Sequence, residues 1–168
     1  MLHRRTTLLA AAVLTCVGVA GAQAPAAAEV GPKVGDMAPD FSLPGATMAG
    51  LTPTPVSLSQ YKGQTVVVAF FPKARTSGCT AQMTGYRDQW ATLFNGGKGI
   101  KVIAISMDAD TTQMDWAKEA NLPMTFASDV KGEAGKRYGA YVDGRPVESR
   151  LLYILGPYGH IKWTAKPF

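Results

Sequence analysis

Cys79 stands in the stretch FFPKARTSGCTAQM, residues 70 to 83, where an apolar run gives way to a polar loop. Pro72, Thr76 and Cys79 follow in the order Pro, three residues, Thr, two residues, Cys, and Gly78 immediately precedes the thiol. Thr76 and Ser77 are both good helix N-caps, which places Cys79 in the first turn of a helix. There the unpaired backbone N–H groups and the helix dipole favour a thiolate, the nucleophilic form of sulfur. Gly78 lets backbone approach a small ligand closely. Met83, Tyr86 and Trp90 follow at +4, +7 and +11, so the sulfur shares the helix face that turns toward the core. That direction suits a buried filler thiol as well as a nucleophile, and both readings stand at this point.

Cysteine usage sharpens the question. Residues 1–22 have the layout of a signal peptide: a basic start (His3, Arg4, Arg5), an apolar stretch from Leu8 to Val19, and small residues ending at Ala22. The stretch is shorter than the roughly 20 residues a membrane-spanning helix needs, so a cleaved leader and no stable membrane insertion are expected. Residues 23–33 read as a small-residue, flexible linker, and 34–168 as one domain. Export implies an oxidising compartment, here the bacterial periplasm, where cysteines are expected in pairs. Yet with Cys16 in the leader, Cys79 is the only cysteine left, and His160 the only histidine. A Cys/His metal cluster is thereby excluded for a single chain, and the lack of a Cys-x-x-Cys pair disfavours a disulfide oxidoreductase. The formal charge of +5 over the full sequence falls to +3 without Arg4 and Arg5. No basic cluster interleaved with aromatics accompanies it, so no nucleic-acid partner is indicated.

The elements that must position Cys79 follow from the pattern. Thr65 to Phe71 (TVVVAFF) is apolar on both faces, as suits a central parallel strand, and Pro72 ends it. Met83, Tyr86, Trp90, Leu93 and Phe94 predict one helix after the Cys79 loop, stopped by Asn95–Gly97. Lys101 to Met107 reads as a second buried strand. A helix follows, with Met114, Trp116 and Ala117 on its inner face, and then a short strand at MTFASD and a short helix or turn at GEAGKRYGA. RLLYIL (Arg150 to Leu155) reads as a third apolar strand, joined through the turn GPYGH to IKWTA. Upstream, GATMAGLTPTP reads as a loop and VSLSQYKGQ as a short strand leading to a turn. Trp90, Trp116 and Val66 to Phe71 are expected in the core, Met83 beside the site, Tyr86 and Arg87 at its border, and His160 exposed. Strand–helix alternation closed by a hairpin points to a three-layer α/β/α sandwich of the thioredoxin type.

The segment FFPKARTSGCT resembles the active-site segment of peroxiredoxins, above all the bacterioferritin-comigratory-protein, or Q-type, group. The resemblance extends through VGDMAPDFSLPG, VSLSQYKGQTVVVAFFPK, YRDQW, KVIAISMD and SRLLYILGPYGHI. It implies that Cys79 is the peroxidatic thiolate, that Thr76 hydrogen-bonds the peroxide and the sulfur, and that Pro72 shields the pocket from water. It implies further that Arg150 stabilises negative charge on sulfur and on the departing oxygen. The activity so implied is an antioxidant thiol peroxidase acting on hydrogen peroxide or small organic hydroperoxides, with no metal, haem or flavin cofactor. The alternative reading is a redox sensor or relay that forms a mixed disulfide with a partner protein.

Several positions depart from the Q-type pattern. Thr84 stands where a resolving cysteine is common, so a one-cysteine cycle with an external reductant, a small thiol or thioredoxin-like protein, is implied. Ser77 replaces the usual proline and Gln82 a frequent glutamate, and the chain ends at KPF where relatives continue into a C-terminal helix. A monomer or weak homodimer is expected.

Overall fold

The computed structural model describes residues 31–165; the expected leader, most of the linker and the last three residues lie outside them. The Thr65–Phe71 run, apolar on both faces, forms an interior strand with a neighbour paired on each side. Its strand, β3 (Thr65–Phe70), is preceded by a short pair, β1 (Gly45–Thr47) and β2 (Gly50–Leu51). Then come helices α1 (Ser77–Asp88) and α2 (Trp90–Phe94), strand β4 (Ile100–Ser106), helix α3 (Asp110–Glu119), strand β5 (Thr125–Ser128) and helix α4 (Glu133–Tyr138). Strands β6 (Leu151–Leu155) and β7 (Ile161–Ala165) close the chain's order. The sheet runs β2-β1-β5-β4-β3-β6-β7, with β3, β4 and β5 parallel and the other neighbours antiparallel.

Strand alternation divides the apolar residues between two layers. Val66, Val68, Phe70, Ile103, Ile105, Leu151, Tyr153 and Leu155 face α4 and the incoming N-terminal segment, where Phe41, Ala134 and Tyr138 cover them. Val67, Phe71, Val102, Ala104 and Phe126 face α1, α2 and α3, meeting Cys79, Met83, Phe94 and Trp116. The result is the α/β/α sandwich that the alternation predicts.

One register determines where chemistry can occur. Phe70, the last residue of β3, pairs antiparallel with Leu151, the first residue of β6. The loop leaving β3 and the residue preceding β6 therefore meet at one end of the sheet. Cys79 follows the first, in the opening turn of α1, and Arg150 is the second.

Three local expectations are corrected. GATMAGLTPTP contains the β1–β2 hairpin, with Gly45 paired to Ala127 of β5. VSLSQYKGQ is not a strand beyond the single bridge Val56–Leu43; Leu58–Tyr61 forms a 3₁₀ turn. Asp40 Oδ1 accepts the Leu58 N–H at 2.8 Å and Gln60 Oε1 accepts that of Ser57 at 3.4 Å, so side chains supply the acceptors a strand would have found in a neighbour. The single helix predicted up to Asn95 breaks at Gln89, at φ −107° and ψ 18°. Tyr86 and Trp90 both pack on Phe94 across that break, while Leu93 is exposed. The inner face of α3 carries Trp116, Ala117 and the half-buried Met114, as expected, and adds the fully buried Gln113.

Candidate active site at the end of the central strand

Phe71 continues from β3 with its N–H donated to the Ile105 carbonyl at 2.9 Å, and the loop from Pro72 then turns back across the sheet end. A buttressed hydrogen bond and an ion pair hold that loop. The Ala74 N–H donates to Asp108 Oδ2 at 2.7 Å. The same oxygen accepts the Ser106 hydroxyl at 2.8 Å, and Gln113 Nε2 donates to Ser106 Oγ at 2.9 Å. Arg75, held in the left-handed region at φ 64°, grips the Glu119 carboxylate with Nε at 3.0 Å and Nη2 at 2.7 Å. That hydrogen bond lowers the carboxyl of Glu119 below its ordinary range. Ser106 ends β4 and Asp108 follows it, beside the end of β3, and that position is their only signal in the sequence; Gln113, inside α3, carries none.

Thr76 is the N-cap of α1, as its residue type predicts, but its hydroxyl does not cap. It donates back to the Lys73 carbonyl at 3.0 Å, while the Thr76 carbonyl accepts the Thr80 N–H at 2.8 Å. The amides of Ser77, Gly78 and Cys79 thus precede the first intrahelical bond and point out of the helix end. Cys79 is fully buried and free, with Met83 buried one turn on. Pro72 is half-buried and Thr76, Ser77 and Gly78 are exposed, so the sulfur lies directly beneath the surface.

Arg150 reaches this turn from the other side of the sheet end. Its Nη2 lies 3.7 Å from Cys79 Sγ, and its Nη1 donates to Gln82 Oε1 at 2.5 Å. Gln82 Nε2 donates in turn to the Tyr86 hydroxyl at 3.0 Å. Tyr86 therefore borders the site through Gln82, whereas Arg87 turns away and donates to the Ala120 carbonyl at 2.7 Å. Thr84 carries no sulfur and donates to the Thr80 carbonyl at 2.7 Å. His160 is exposed and remote, against the Gly35 carbonyl at 3.1 Å.

Burial alone fits a filler thiol. A guanidinium aimed at the sulfur does not, because apolar packing requires no cation there. The arrangement can hold a negative charge on Cys79 and offer donors, Arg150 and the helix-end amides, to an oxygen beside it. Among the described residues, no group of three or more His, Cys, Asp or Glu could hold a metal ion. No helix among them is long and apolar enough to cross a membrane.

Gly78 also leaves room for Arg150. What comes close to its backbone is Arg150: a Cβ at Gly78 would lie 3.1 Å from Arg150 Nη2. Gly78→Ala should therefore push the guanidinium by a few tenths of an ångström. At the same time it should favour the helix by up to about 1 kcal/mol. The expected result is an unchanged or raised melting temperature with oxidation of Cys79 slowed several-fold. Thermal melts and peroxide kinetics on the same sample check this, and a parallel change in both would count against it.

Comparison with known proteins bears on the family and the fold. The family described as AhpC/TSA matches residues 34–164. A putative peroxiredoxin Bcp of Coxiella burnetii is 37% identical over 111 residues, covering 66% of this chain and 69% of the relative. Peroxiredoxin Bcp of Escherichia coli K12 is 36% identical over 109 residues, 65% of each chain. A chloroplastic peroxiredoxin Q of Sedum lineare is 36% identical over 109 residues, 64% of this chain but 58% of the relative. Among solved structures, reduced 2-Cys peroxiredoxin of Plasmodium vivax superposes with a TM-score of 0.70 at 22% identity, over 79% of this chain and 83% of that one. AhpC of Enterococcus faecalis gives 0.71 at 19%, over 79% of both; these two speak for the fold. With a family match from residue 34 to residue 164 and the thiol set in the first turn of α1 beneath Arg150, the chain belongs to the AhpC/TSA family, as a peroxiredoxin similar to the Bcp and Q proteins.

Proposed function

We propose that this peroxiredoxin is a thiol-dependent peroxidase that reduces hydrogen peroxide or small organic hydroperoxides through Cys79 in a one-cysteine cycle. The observation that carries the reading is the Arg150 guanidinium 3.7 Å from a sulfur in the first turn of a helix. In the first step the Cys79 thiolate attacks the terminal peroxide oxygen. An S–O bond forms, the O–O bond breaks, and the departing oxygen leaves as water or an alcohol once it takes a proton. Arg150 and the amides of Gly78 and Cys79 receive the charge that grows on the departing oxygen. The Thr76 hydroxyl, its proton given to the Lys73 carbonyl, presents its lone pairs as acceptors for the peroxide O–H. Pro72 covers the pocket.

Cys79 is the only cysteine among the described residues, so an external thiol must complete the cycle. It attacks the sulfenic acid, releasing water and leaving a mixed disulfide. A second thiol then frees Cys79 and leaves as the oxidised disulfide. Burial of the sulfur favours a small thiol, or a protein thiol that engages after the first turn of α1 opens. The reading includes export to the bacterial periplasm on the leader of residues 1–22 and function as a monomer or weak dimer.

The test is one equivalent of hydrogen peroxide with a sulfenic-acid trap, read by mass on the peptide containing Cys79, beside Cys79→Ser. A fast adduct that the variant lacks is expected. A thiol that reacts no faster than free cysteine would make Cys79 a filler. Slow turnover with every thiol donor, but a stable adduct with one protein, would replace the peroxidase by a redox relay.

A further inference from the structure

Glu148 lies two residues before Arg150 and is 1% exposed. Neither of its carboxyl oxygens finds a donor in hydrogen-bonding geometry. What surrounds them is unfavourable to a charge. A Cβ at Gly135 would lie 2.6 Å from Glu148 Oε1, so the carboxyl occupies the space a side chain on α4 would fill. The Asp129 carboxylate, from the loop between β5 and α4, faces it, and Asp108, from the loop after β4, adds a more distant negative charge. Asp129 is already committed to the Glu133 N–H at 2.9 Å and the Gly135 N–H at 2.7 Å. The proton of the pair therefore sits on Glu148. Burial first, and these carboxylates second, push its carboxyl up to about 10. From α4, Lys136 places its ammonium 4.7 Å from the ring of Tyr141, the residue bridged to Glu148.

The backbone connects this group to the site. Ala140 and Tyr141 donate their N–H groups to the Gly135 carbonyl, at 2.7 and 3.1 Å. A small hairpin follows, with the Val142 N–H on the Val147 carbonyl at 3.3 Å, and the Ser149 N–H then returns to the Ala140 carbonyl at 2.6 Å. Glu148 and its bridge to Tyr141 close that hairpin immediately before the chain delivers Arg150 to Cys79. A solvated loop would not need an acid here, and a buried one costs stability.

We propose that Glu148 is a positioning residue for the reaction at Cys79: wedged as an uncharged acid between Asp129 and the backbone of Gly135, it fixes the hairpin that aims Arg150 at the sulfur. Ionising it would set two carboxylates together in a dry site, open the hairpin and withdraw the guanidinium. The inference rests on the peroxidase reading, and two probes keep their failures apart.

The experiment follows Cys79 by peptide mass in wild type, Glu148→Gln and Glu148→Ala, with hydrogen peroxide and separately with iodoacetamide, from pH 6 to 10.5. At pH 7, Glu148→Gln should keep the wild-type peroxide rate within about twofold and Glu148→Ala should lose about tenfold, as misplacing a catalytic group does. As pH approaches and passes about 10, wild type should lose rate relative to Glu148→Gln, which cannot ionise, with both probes. Superimposable profiles for wild type and Glu148→Gln would overturn the proposal even if Glu148→Ala melts earlier. So would a wild-type rate and profile in Glu148→Ala. A wild-type peroxide rate no higher than that of a free thiol would instead sink the peroxidase reading, with the iodoacetamide profiles still deciding on Glu148.

Discussion

Replacing Arg150 with alanine is expected to slow oxidation of Cys79 by hydrogen peroxide about 10²–10³-fold, the range for removing one preorganised donor from a developing oxyanion. The size follows from how much converges on one guanidinium. Nη2 faces Cys79 Sγ at 3.7 Å while Nη1 is fixed by Gln82 Oε1 at 2.5 Å, so the fork arrives already oriented by a second contact. Gln82 is itself held by the Tyr86 hydroxyl. Arg150→Lys should recover little of the loss, because an ammonium cannot hold Gln82 and face the sulfur in the same planar geometry. Stability should change by no more than about 1 kcal/mol, since the residue is only half-buried and ends no apolar cluster. Stopped-flow or competition kinetics beside a urea melt separates the two effects. A variant that is oxidised at the wild-type rate would reduce Arg150 to a structural contact of the α1 turn.

Why Arg150 could be found from the sequence, and Glu148 could not, has a physical basis. The runs at Thr65–Phe71, Lys101–Met107 and Leu151–Leu155 are long and apolar enough for their strand character to survive any tertiary context. Once they are strands of one sheet, the ends of β3 and β6 are neighbours. The Pro72–Thr76–Cys79 spacing then matched a family segment, and Arg150 came with it. Glu148 reads in isolation as one more charged residue in a polar loop; its burial exists only after α4 closes over it and Asp129 turns toward it. The β1–β2 hairpin escaped detection because strands of three and two residues are shorter than any alternation can reveal. The 3₁₀ turn at Leu58–Tyr61 depends on Asp40, eighteen residues earlier. The break at Gln89 was invisible for the opposite reason: Met83, Tyr86, Trp90 and Phe94 keep helical phase across it, so the pattern continues where the helix does not.

Glu148→Gln should stabilise the protein at neutral pH, an unusual sign for a change in a buried site. The carboxyl moves from its ordinary value of 4.5 to about 10 on folding, so the folded state keeps a proton that the unfolded chain releases. Below about pH 4.5 both states hold the proton and the acid costs nothing extra. As pH rises from there toward about 10, the unfolded side is favoured by about 1.4 kcal/mol per unit. At pH 7 this amounts to about 3 kcal/mol at most, against a total stability of only about 5–15 kcal/mol for a domain. Glutamine has nearly the same shape, never ionises, and can donate its amide N–H to Asp129, which removes the penalty without opening a cavity. Urea melts at pH 4.5, 7 and 8.5 should show no difference between the proteins at the first pH. A gain of about 2 kcal/mol is expected at the second, and a larger one at the third. A difference that stays flat with pH would mean that Glu148 is ionised and compensated in the folded protein, and the hairpin before Arg150 would then be held by something other than an uncharged acid.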